Sequence, residues 1–443
     1  LIILPGFQYG GMEHTGATLY NDTQMFLSEN PTLDEELRRI KLIAHETAHM
    51  WFGDYVTMRW FDDVWTKEVF ANYFAARMAE PLFPNINHAL NRIKIHTSAA
   101  LSEDRTEGST SIHQSLDNLS NAGLIYGQTI YNKAPVVMDK LVEIMGEEAF
   151  RKGIQEYLTT YAYANASWDD LVAILDKYSD KDLAMFSDVW VNQRGMPHIK
   201  FERKDNRLCI SQSDPLGRGL HWPQSFSIDV VADGATTRHE VVMTDKEVVM
   251  EIANIDYIIP NSDGRGYGLF IIEDSNIKTL LSTWPTITDE LMRQASIMNL
   301  KELYEANIIS EKEWYESLVA GLKTESNALV ASTLCSYIAE PLHALHSAEA
   351  EAELFAMSES HAFVSCRQQL MRLLMQVATS EDVNGKFYAI WQEGNHPYLS
   401  ISDYMTLSYE LSLRFPERYN EIATTQRERI TDEERRRQFD FII

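Results

Sequence analysis

The sequence predicts a multidomain α+β protein in three parts: a mainly helical domain over residues 1–196, a small β-sandwich over 197–274, and an α-helical superhelix or solenoid over 275–443. Three observations predict this fold. Apolar residues recur at helical spacing through the first part, the pattern changes to period two after Pro197, and helical spacing returns after Ser275. A length of 443 residues also suits a chain of about two to four domains.

The first part begins with a short strand edge and continues mostly as helices. A capping box at Thr32 and Glu35 predicts the start of the first helix, and Gly53 marks its end. Periodic apolar positions predict helices over 34–52, 66–80, 133–145, 147–161 and 167–178.

The second part carries the strand signal. Phe226, Ile228 and Val230 alternate with polar residues, which is typical of a strand with one buried face. Asp-Gly and Asn-Ser-Asp-Gly turn signals separate further short runs at 207–211, 238–243, 247–252 and 268–272. This pattern predicts a sandwich of about 75 residues.

The third part is a series of helical runs with short connections, a pattern typical of helical superhelices. The runs lie at 288–306, 311–323, 326–339, 347–357, 361–379, 382–394, 402–413 and 417–428. No strict repeat of fixed length is visible in them.

One motif in the first part carries chemistry. His45 and His49 stand four residues apart on the predicted helix, so both imidazoles point from one face. They can bind one zinc ion with Zn–N contacts of about 2.0–2.1 Å. Glu46 is about 100° further round the helix, which suits a general base acting on water. Glu68 on the next helix can complete a site with two histidines, one glutamate and an open fourth position, the pattern of catalytic zinc.

A His-Glu-x-x-His match also arises by chance, as two surface histidines on an ordinary helix. The neighbours of the motif are apolar here, including Ile43, Ala44, Ala48 and Phe52. Because burying two histidines and a glutamate without a partner is costly, the pattern favours a metal site.

Several segments together resemble the aminopeptidase N family of zinc metallopeptidases (gluzincins). The segments are residues 10–14 (Gly-Gly-Met-Glu-His), 45–60 (the zinc helix and its continuation), 63–71 (around Glu68), 131–135 (Tyr-Asn-Lys-Ala-Pro), 190–197 and 261–267 (Asn-Ser-Asp-Gly-Arg-Gly-Tyr). They follow one another in the order of that family.

The resemblance implies a thermolysin-like catalytic domain and a zinc aminopeptidase with one Zn²⁺ per chain, acting on peptides with a free N-terminus. It implies that Glu46 is the general base and that the hydroxyl of Tyr131 stabilises the oxyanion. It further implies that Glu13 binds the substrate's α-ammonium. Gly10 and Gly11 then allow close approach of the peptide backbone, and Met12 lines the first side-chain pocket.

The sequence departs from the family's usual pattern beside the site. Gly11 stands where alanine is usual and His14 where asparagine is usual. Lys67 and Val69 flank Glu68 where asparagine and glycine are usual, and 134–135 reads Ala-Pro in place of Gly-Ala. None of these positions is a predicted metal ligand, so the departures concern substrate preference and not reaction type.

Two other functions are compatible with parts of this pattern. A thermolysin-type endopeptidase would use the same zinc site, but it has no need of Glu13. A non-catalytic scaffold on the same fold has no need of an intact set of His45, Glu46, His49, Glu68 and Tyr131. Both are therefore weaker interpretations than an aminopeptidase.

Composition excludes some partners. Thirty-nine basic and 65 acidic residues give a net charge of −26, which argues against nucleic acid and anionic membranes. Cys209, Cys335 and Cys366 are widely spaced, so we interpret them as core thiols. No apolar run is expected to reach the ~18 residues of a membrane span, and the sequence gives no information on oligomeric state.

The chain opens on an apolar strand-like segment, residues 1–4, and closes on another, residues 439–443. We therefore expect a fragment cut at both ends. The family resemblance implies a β-rich domain before Leu1 that contributes a second carboxylate to the amine site. We expect such a fragment to bind zinc but to cleave peptides weakly. The sequence does not distinguish a cytoplasmic from a periplasmic location.

Overall fold

The computed structural model describes residues 1–27 and 31–443. The chain divides into two compact units, Leu1–Leu303 and Tyr304–Ile443. The first unit mixes helices with small sheets and the second is helical, so the predicted multidomain α+β class is confirmed. The predicted boundaries near 196 and 274 stay predictions, as do the thermolysin-like and superhelical arrangements.

The first unit contains these helices among the described residues. They are α1 (Asp22–Met25), α2 (Leu33–Ala48), α3 (Val64–Ala79), α4 (His88–Arg92), α5 (Ser98–Asp104), α6 (Ala134–Met145), α7 (Glu147–Thr160), α8 (Trp168–Asp176), α9 (Leu183–Trp190), α10 (Asp274–Thr283) and α11 (Glu290–Glu305), which runs into the second unit. Two π-helical segments, Ile93–Thr97 and Thr129–Lys133, precede α5 and α6.

Strands form four small sheets in the first unit. They are β1 (Ile2–Leu4), β2 (Gly11–Met12), β3 (Leu19–Asn21), β4 (Val56–Met58), β5 (Ala164–Ala166), β6 (His198–Lys204), β7 (Arg207–Ser213), β8 (Gln224–Ala232), β9 (Ala235–Met243), β10 (Glu247–Glu251), β11 (Tyr257–Ile259) and β12 (Leu269–Ile271). The sheet orders among the described residues are β1-β3-β2, β4-β5, β10-β7-β6-β12 and β11-β8-β9.

The packing of α2 on α3 brings the site together. The capping box of Thr32 and Glu35 starts α2 as predicted, and α2 ends at Ala48, earlier than residue 52. His49 is the C-cap, yet its backbone is still helical and its N–H donates to the His45 carbonyl. The i,i+4 relation of the two imidazoles is therefore kept. Phe52 stacks on Phe70 of α3 with ring centroids 4.5 Å apart, which fixes the turn that follows α2.

The strand prediction holds in outline, with one difference in burial. The β8–β9 hairpin turns at Asp233-Gly234, both at positive φ, and aligns Ala232 with Ala235. Phe226 and its apolar partners on β8 are buried, but Ser227 and Asp229 on the opposite face are buried too. Asp229 is compensated there by Arg238, 3.0 Å away, so this strand is covered on both faces.

The second unit consists of helices that pack on their neighbours, α12 on α13, α15 on α16 and α18 on α19. The helices are α12 (Glu311–Thr324), α13 (Ala328–Tyr337), α14 (Ala339–Leu345), α15 (Ala348–Ser360), α16 (Val364–Val377), α17 (Glu381–Glu393), α18 (Ile401–Arg414), α19 (Tyr419–Arg429) and α20 (Glu433–Ile442). The sequence pattern did not predict α10 or α14. All three cysteines are buried and none forms a disulfide bond, in agreement with core thiols.

One stretch differs from the expectation that no run reaches the length of a membrane span. The window Ala328–Leu345 is long and apolar enough by length and composition. Its mean hydropathy is 1.2 and 56% of it is buried within the protein. Burial of this kind is found in helices that belong to a protein core, and the stretch is divided between α13 and α14, so it is only weak evidence for a span.

Candidate metal centre and active site

Three predicted ligand atoms meet between α2 and α3. The Nε2 atoms of His45 and His49 are 3.1 Å apart. Glu68 Oε2 lies 3.3 Å from His45 Nε2 and 3.6 Å from His49 Nε2. Ligand atoms around a tetrahedral zinc are roughly 3.4 Å apart when each contact is about 2.1 Å. The spacing of this triangle therefore suits a single zinc ion.

The second nitrogen of each imidazole fixes which atom carries the proton. His49 Nδ1 lies 2.9 Å from the Phe52 carbonyl oxygen, which can only accept. His45 Nδ1 lies 3.0 Å from Asn72 Oδ1, while the amide nitrogen of Asn72 donates to the Tyr131 carbonyl. Both Nδ1 atoms are thus donors, so in the neutral imidazoles both Nε2 atoms present lone pairs. In that form the two lone pairs and the carboxylate oxygen repel one another unless a cation lies among them.

Glu68 is ionised in this setting. Its side chain is buried, which alone would raise its pKa, but contacts with His45, His49 and Lys67 hold the pKa of Glu68 well below its usual value. The ammonium of Lys67 lies 2.8 Å from Glu68 Oε1, the oxygen that does not face the histidines. Lys67 also lies 2.5 Å from Glu13 Oε1. These two carboxylates outweigh the effect of burial and raise the pKa of Lys67.

Glu46 lies beside the ligand triangle and is only 3% exposed. Its Oε2 atom is buried and has no hydrogen-bond partner among the described residues. Burial, together with the charges of Glu13 and Glu68, raises the pKa of Glu46 to about 7 despite the opposing effect of His45. A carboxylate with a pKa near neutrality is suited to exchange protons at physiological pH.

Gly11 on β2 packs directly against Glu46. A Cβ atom at position 11 would lie 2.7 Å from Glu46 Cγ and still closer to its carboxylate, so Glu46 would have to shift to admit a side chain there. Gly11 therefore permits this position of Glu46, at a place where the aminopeptidase N family usually carries alanine. Strand β2 and the predicted base are therefore held in contact, backbone against side chain.

Gly11→Ala should displace Glu46 and lower kcat by about tenfold to a hundredfold, because small shifts of a reacting group are costly. Zinc content should stay at the parent level, since no ligand contacts Gly11. Gly385→Ala is the control, because a Cβ there meets nothing within 4 Å. Unchanged kcat in Gly11→Ala, measured at saturating zinc and substrate, would contradict this interpretation.

Tyr131 lies on the π-helical segment Thr129–Lys133, a geometry that often occurs at functional sites. Burial, followed by the charge of Glu68 and the neighbouring Tyr126, raises the pKa of Tyr131, and Glu13 and Glu46 act in the same direction. Its hydroxyl therefore keeps its proton and is a hydrogen-bond donor near the same three carboxylates.

A buried network anchors the segment that carries Tyr131. Lys133 is 1% exposed, and its ammonium lies 2.8 Å from Asp104 Oδ2 and donates to the Gly195 carbonyl at 3.1 Å. The Tyr267 hydroxyl donates to Asp104 Oδ2 at 2.7 Å. Three segments that the sequence singled out separately (131–135, 190–197 and 261–267) thus meet at one carboxylate.

Met12 and His14 flank Glu13 in the sequence. His14 is exposed and belongs to no group of potential metal ligands. Met12 is partly buried on β2, next to Glu13. Other groups that could hold a metal among the described residues are Glu13–Glu46–His49, which overlaps the site, and Asp62–Asp63–His113.

Lys67 is the site residue whose contacts sequence reasoning missed. The sequence shows Lys67 only as a departure from the family pattern, in which asparagine is usual. The signal was present, since a lysine directly before the third ligand must be neutralised somewhere if α3 is buried. Its partner Glu13 comes from a distant segment, and spacing along the chain could not identify it.

Comparison with known proteins decides the family. The family model described as the peptidase family M1 domain matches residues 1–190, which include all the residues of the site. Residues 1–190 thus match a peptidase family M1 domain. The predicted resemblance to the aminopeptidase N family is thereby confirmed.

Two of three curated relatives of this matched segment carry aminopeptidase names. Aminopeptidase N of Lactococcus lactis subsp. lactis is 33% identical over 215 residues, 48% of this chain and 25% of that relative. The probable aminopeptidase 2 of Sulfurisphaera tokodaii is 31% identical over 212 residues, 48% of this chain and 27% of that protein. The tricorn protease-interacting factor F2 of Thermoplasma volcanium is 26% identical over 287 residues, 64% of this chain and 36% of its own length. The chain thus spans about a quarter to a third of the length of these relatives.

Proposed function

We propose that this protein is a zinc aminopeptidase that hydrolyses the N-terminal residue from peptides, with one zinc ion held by His45, His49 and Glu68. The observation that carries the proposal is the meeting of three electron-pair donors beside the buried, unpartnered oxygen of Glu46. Without a cation and a substrate such an arrangement is only a cost to stability. Zinc bound there supplies a Lewis acid that acidifies water and polarises a peptide carbonyl.

Glu46 acts as the general base in this proposal. It accepts a proton from the attacking water and returns the proton to the amine that leaves. Its pKa of about 7 in the absence of a cation leaves it able to do both near neutral pH. The contact with Gly11 keeps its carboxylate oriented during the two transfers.

Tyr131 donates a hydrogen bond to the oxyanion that develops on the substrate carbonyl. Its raised pKa supports this role, because the hydroxyl stays protonated while negative charge builds up beside it. Asn72 links the Tyr131 carbonyl to the ring of His45, which couples the position of the donor to the position of the ligand.

Tyr131→Phe should lower kcat by about 10²–10³, the usual loss for one oxyanion donor. Substrate affinity and zinc content should stay near the parent values, because the ring and the Asn72 contact remain. Steady-state kinetics with a zinc assay checks both. A change confined to KM would assign Tyr131 to substrate binding and not to catalysis.

Glu13 binds the α-ammonium of the substrate in this proposal and makes the enzyme an exopeptidase. It follows Met12, the last residue of β2, and β2 lies at the edge of the order β1-β3-β2. An extended peptide can add to such an edge through backbone hydrogen bonds. Gly10 and Gly11 leave room for that backbone, and Met12 faces the first side chain.

Glu13→Ala tests the exopeptidase assignment. It should lower kcat/KM for leucine arylamide by about tenfold or more, because a buried charged partner of the ammonium is removed. Glu148→Ala, which removes an exposed carboxylate on α7, is the matched control. A panel of aminoacyl arylamides then gives the preferred N-terminal residue. Efficient internal cleavage of long N-blocked peptides by the parent would favour a thermolysin-type endopeptidase.

Turnover by the parent also distinguishes an enzyme from a non-catalytic scaffold.

We further infer that the catalytic part has the thermolysin-like arrangement, that the sheets between residues 197 and 274 form a β-sandwich domain, and that the later helices form a superhelix. The matched family domain at residues 1–190 supports the first of these.

A further inference from the structure

The Lys67 ammonium lies between two carboxylates. One belongs to Glu13, the proposed partner of the substrate amine, and the other to Glu68, a predicted metal ligand. The ammonium is 2.5 Å from Glu13 Oε1 and 2.8 Å from Glu68 Oε1. The side chains of Lys67 and Glu13 are 12% and 17% exposed, so water screens this pair only partly. Glu13 therefore already has a positive partner supplied by the chain itself.

The Lys67 side chain is held in this position from several directions. A Cβ atom at Gly53 would lie 3.3 Å from Lys67 Cδ, so the stem of the lysine runs close along the backbone that follows α2. The same added atom would lie 3.3 Å from His49 Nδ1. With its stem confined and its ammonium paired twice, Lys67 cannot leave Glu13 without losing contacts at both ends.

A substrate ammonium that approaches Glu13 must therefore enter beside a cation. Two unit charges a few ångströms apart in a partly buried site interact strongly. A charge at a binding surface weakens the binding of a partner that carries the same charge there. An N-terminus without charge, such as an acylated one, meets no such repulsion. Asparagine, which is usual at this position in the aminopeptidase N family, would leave the whole charge of Glu13 for the substrate.

We propose that Lys67 is a specificity-determining residue of this site, and that its ammonium occupies Glu13 and lowers the preference of the enzyme for a charged over an uncharged N-terminus. This inference rests on the proposed function, in which Glu13 receives the substrate amine. It adds a class of substrate, peptides whose N-terminal nitrogen is acylated or otherwise neutral. The contact with Glu68 gives Lys67 a structural role as well, and the experiment separates the two.

The experiment measures kcat/KM for leucine arylamide and for its N-acetyl analogue, at about pH 7 where the free amine is mostly charged. The parent, Lys67→Asn and Lys67→Met are compared as the ratio of the two values within each protein. Because both substrates meet the same enzyme, any loss of zinc or of folded protein cancels in the ratio. Lys94→Met is the matched control, since Lys94 lies 2.5 Å from Asp34 and the two side chains are 14% and 22% exposed.

Lys67→Asn and Lys67→Met should each raise the ratio in favour of the free amine by about tenfold or more, while Lys94→Met leaves it within about twofold. An unchanged ratio, with both kcat/KM values reduced equally, would show that Lys67 only supports Glu68 and would overturn the proposal. A ratio that falls would overturn it too, because Lys67 would then be aiding capture of the amine.

A binding measurement keeps the two proposals distinguishable. Saturation-transfer NMR on the zinc-loaded proteins gives the affinities of leucinamide and N-acetylleucinamide. Lys67→Asn should shift the affinity ratio toward leucinamide by about tenfold, whether or not turnover is seen. If the parent cleaves neither arylamide, the proposed function fails, and the affinity ratio alone decides the role of Lys67.

Discussion

Glu46→Gln should retain zinc and lose turnover, with kcat lower by about 10³ or more, since general base catalysis contributes on the order of 10²–10⁴. The amide keeps the size of the side chain and its contact with Gly11, so only the proton acceptor is removed. Zinc content by metal analysis and kcat on leucine arylamide are the measurements. Glu36→Gln on the same helix is the control and should stay within about twofold of the parent. Parent-level turnover in Glu46→Gln would show that the mechanism is wrong.

The same substitution should change how stability depends on pH. In protein treated with a chelator, burial raises the pKa of Glu46 from 4.5 to about 7. A carboxyl whose pKa is raised by folding destabilises the folded state as pH rises through this window, because the unfolded chain ionises first. The cost is complete above about pH 7 and is on the order of 3 kcal/mol. Glu46→Gln removes it.

Urea denaturation of the chelated proteins at about pH 5 and pH 8 measures this effect. The stability of Glu46→Gln relative to the parent should increase between the two values by on the order of 3 kcal/mol. Any fixed cost of burying the amide is present at both pH values and cancels in the comparison. If the difference in stability between Glu46→Gln and the parent were the same at both pH values, burial of Glu46 near Glu13 and Glu68 would not raise its pKa as described.

Lys133→Met should be the most destabilising of the substitutions considered, by about 3–5 kcal/mol, because it leaves the charge of Asp104 buried without its partner. The side chains of Lys133 and Asp104 are 1% and 0% exposed. Activity should fall as well, since Tyr131 lies on the same π-helical segment. Urea denaturation at neutral pH with saturating zinc gives the change in free energy of unfolding.

A surface pair provides the control for Lys133. Lys177 lies 2.6 Å from Glu156, with side chains 59% and 30% exposed, so Lys177→Met should cost no more than about 1 kcal/mol. The double variant Lys133→Met with Asp104→Leu should recover much of the loss, because apolar replacement of a buried ion pair is often nearly neutral. Equal losses in the single and double variants would mean that packing, and not the unpaired charge, accounts for the effect.

Local periodicity was sufficient to predict the contacts that lie within one or two helices. The relation of His45, Glu46 and His49 is a property of helix geometry, and the capping box of Thr32 and Glu35 is local too. Glu68 could be anticipated because its neighbours on α3 are apolar and its charge therefore needs a partner. Alternation made the run of β8 recognisable, and turn signals in the sequence separated the runs of β7, β9 and β10.

Contacts between distant segments could not be predicted in this way. Lys67 meets Glu13 only because β2 lies across the end of α2, a relation that no spacing records. Asp229 has a polar partner on a neighbouring strand, so its burial is invisible to an alternation rule. The short helix α14 has too few turns to show a period, and Pro341 interrupts the helical pattern within it.

Gly11 and Glu46 also constrain how the gene can change. Glycine and alanine are one nucleotide apart, yet alanine at position 11 would push against the Glu46 carboxylate. A lineage can accept that substitution only after β2 has moved away from α2, or together with a shorter acid at position 46. The two positions should therefore vary as a pair among descendants of this chain, and the order in which they mutate should decide whether the intermediate is an active enzyme.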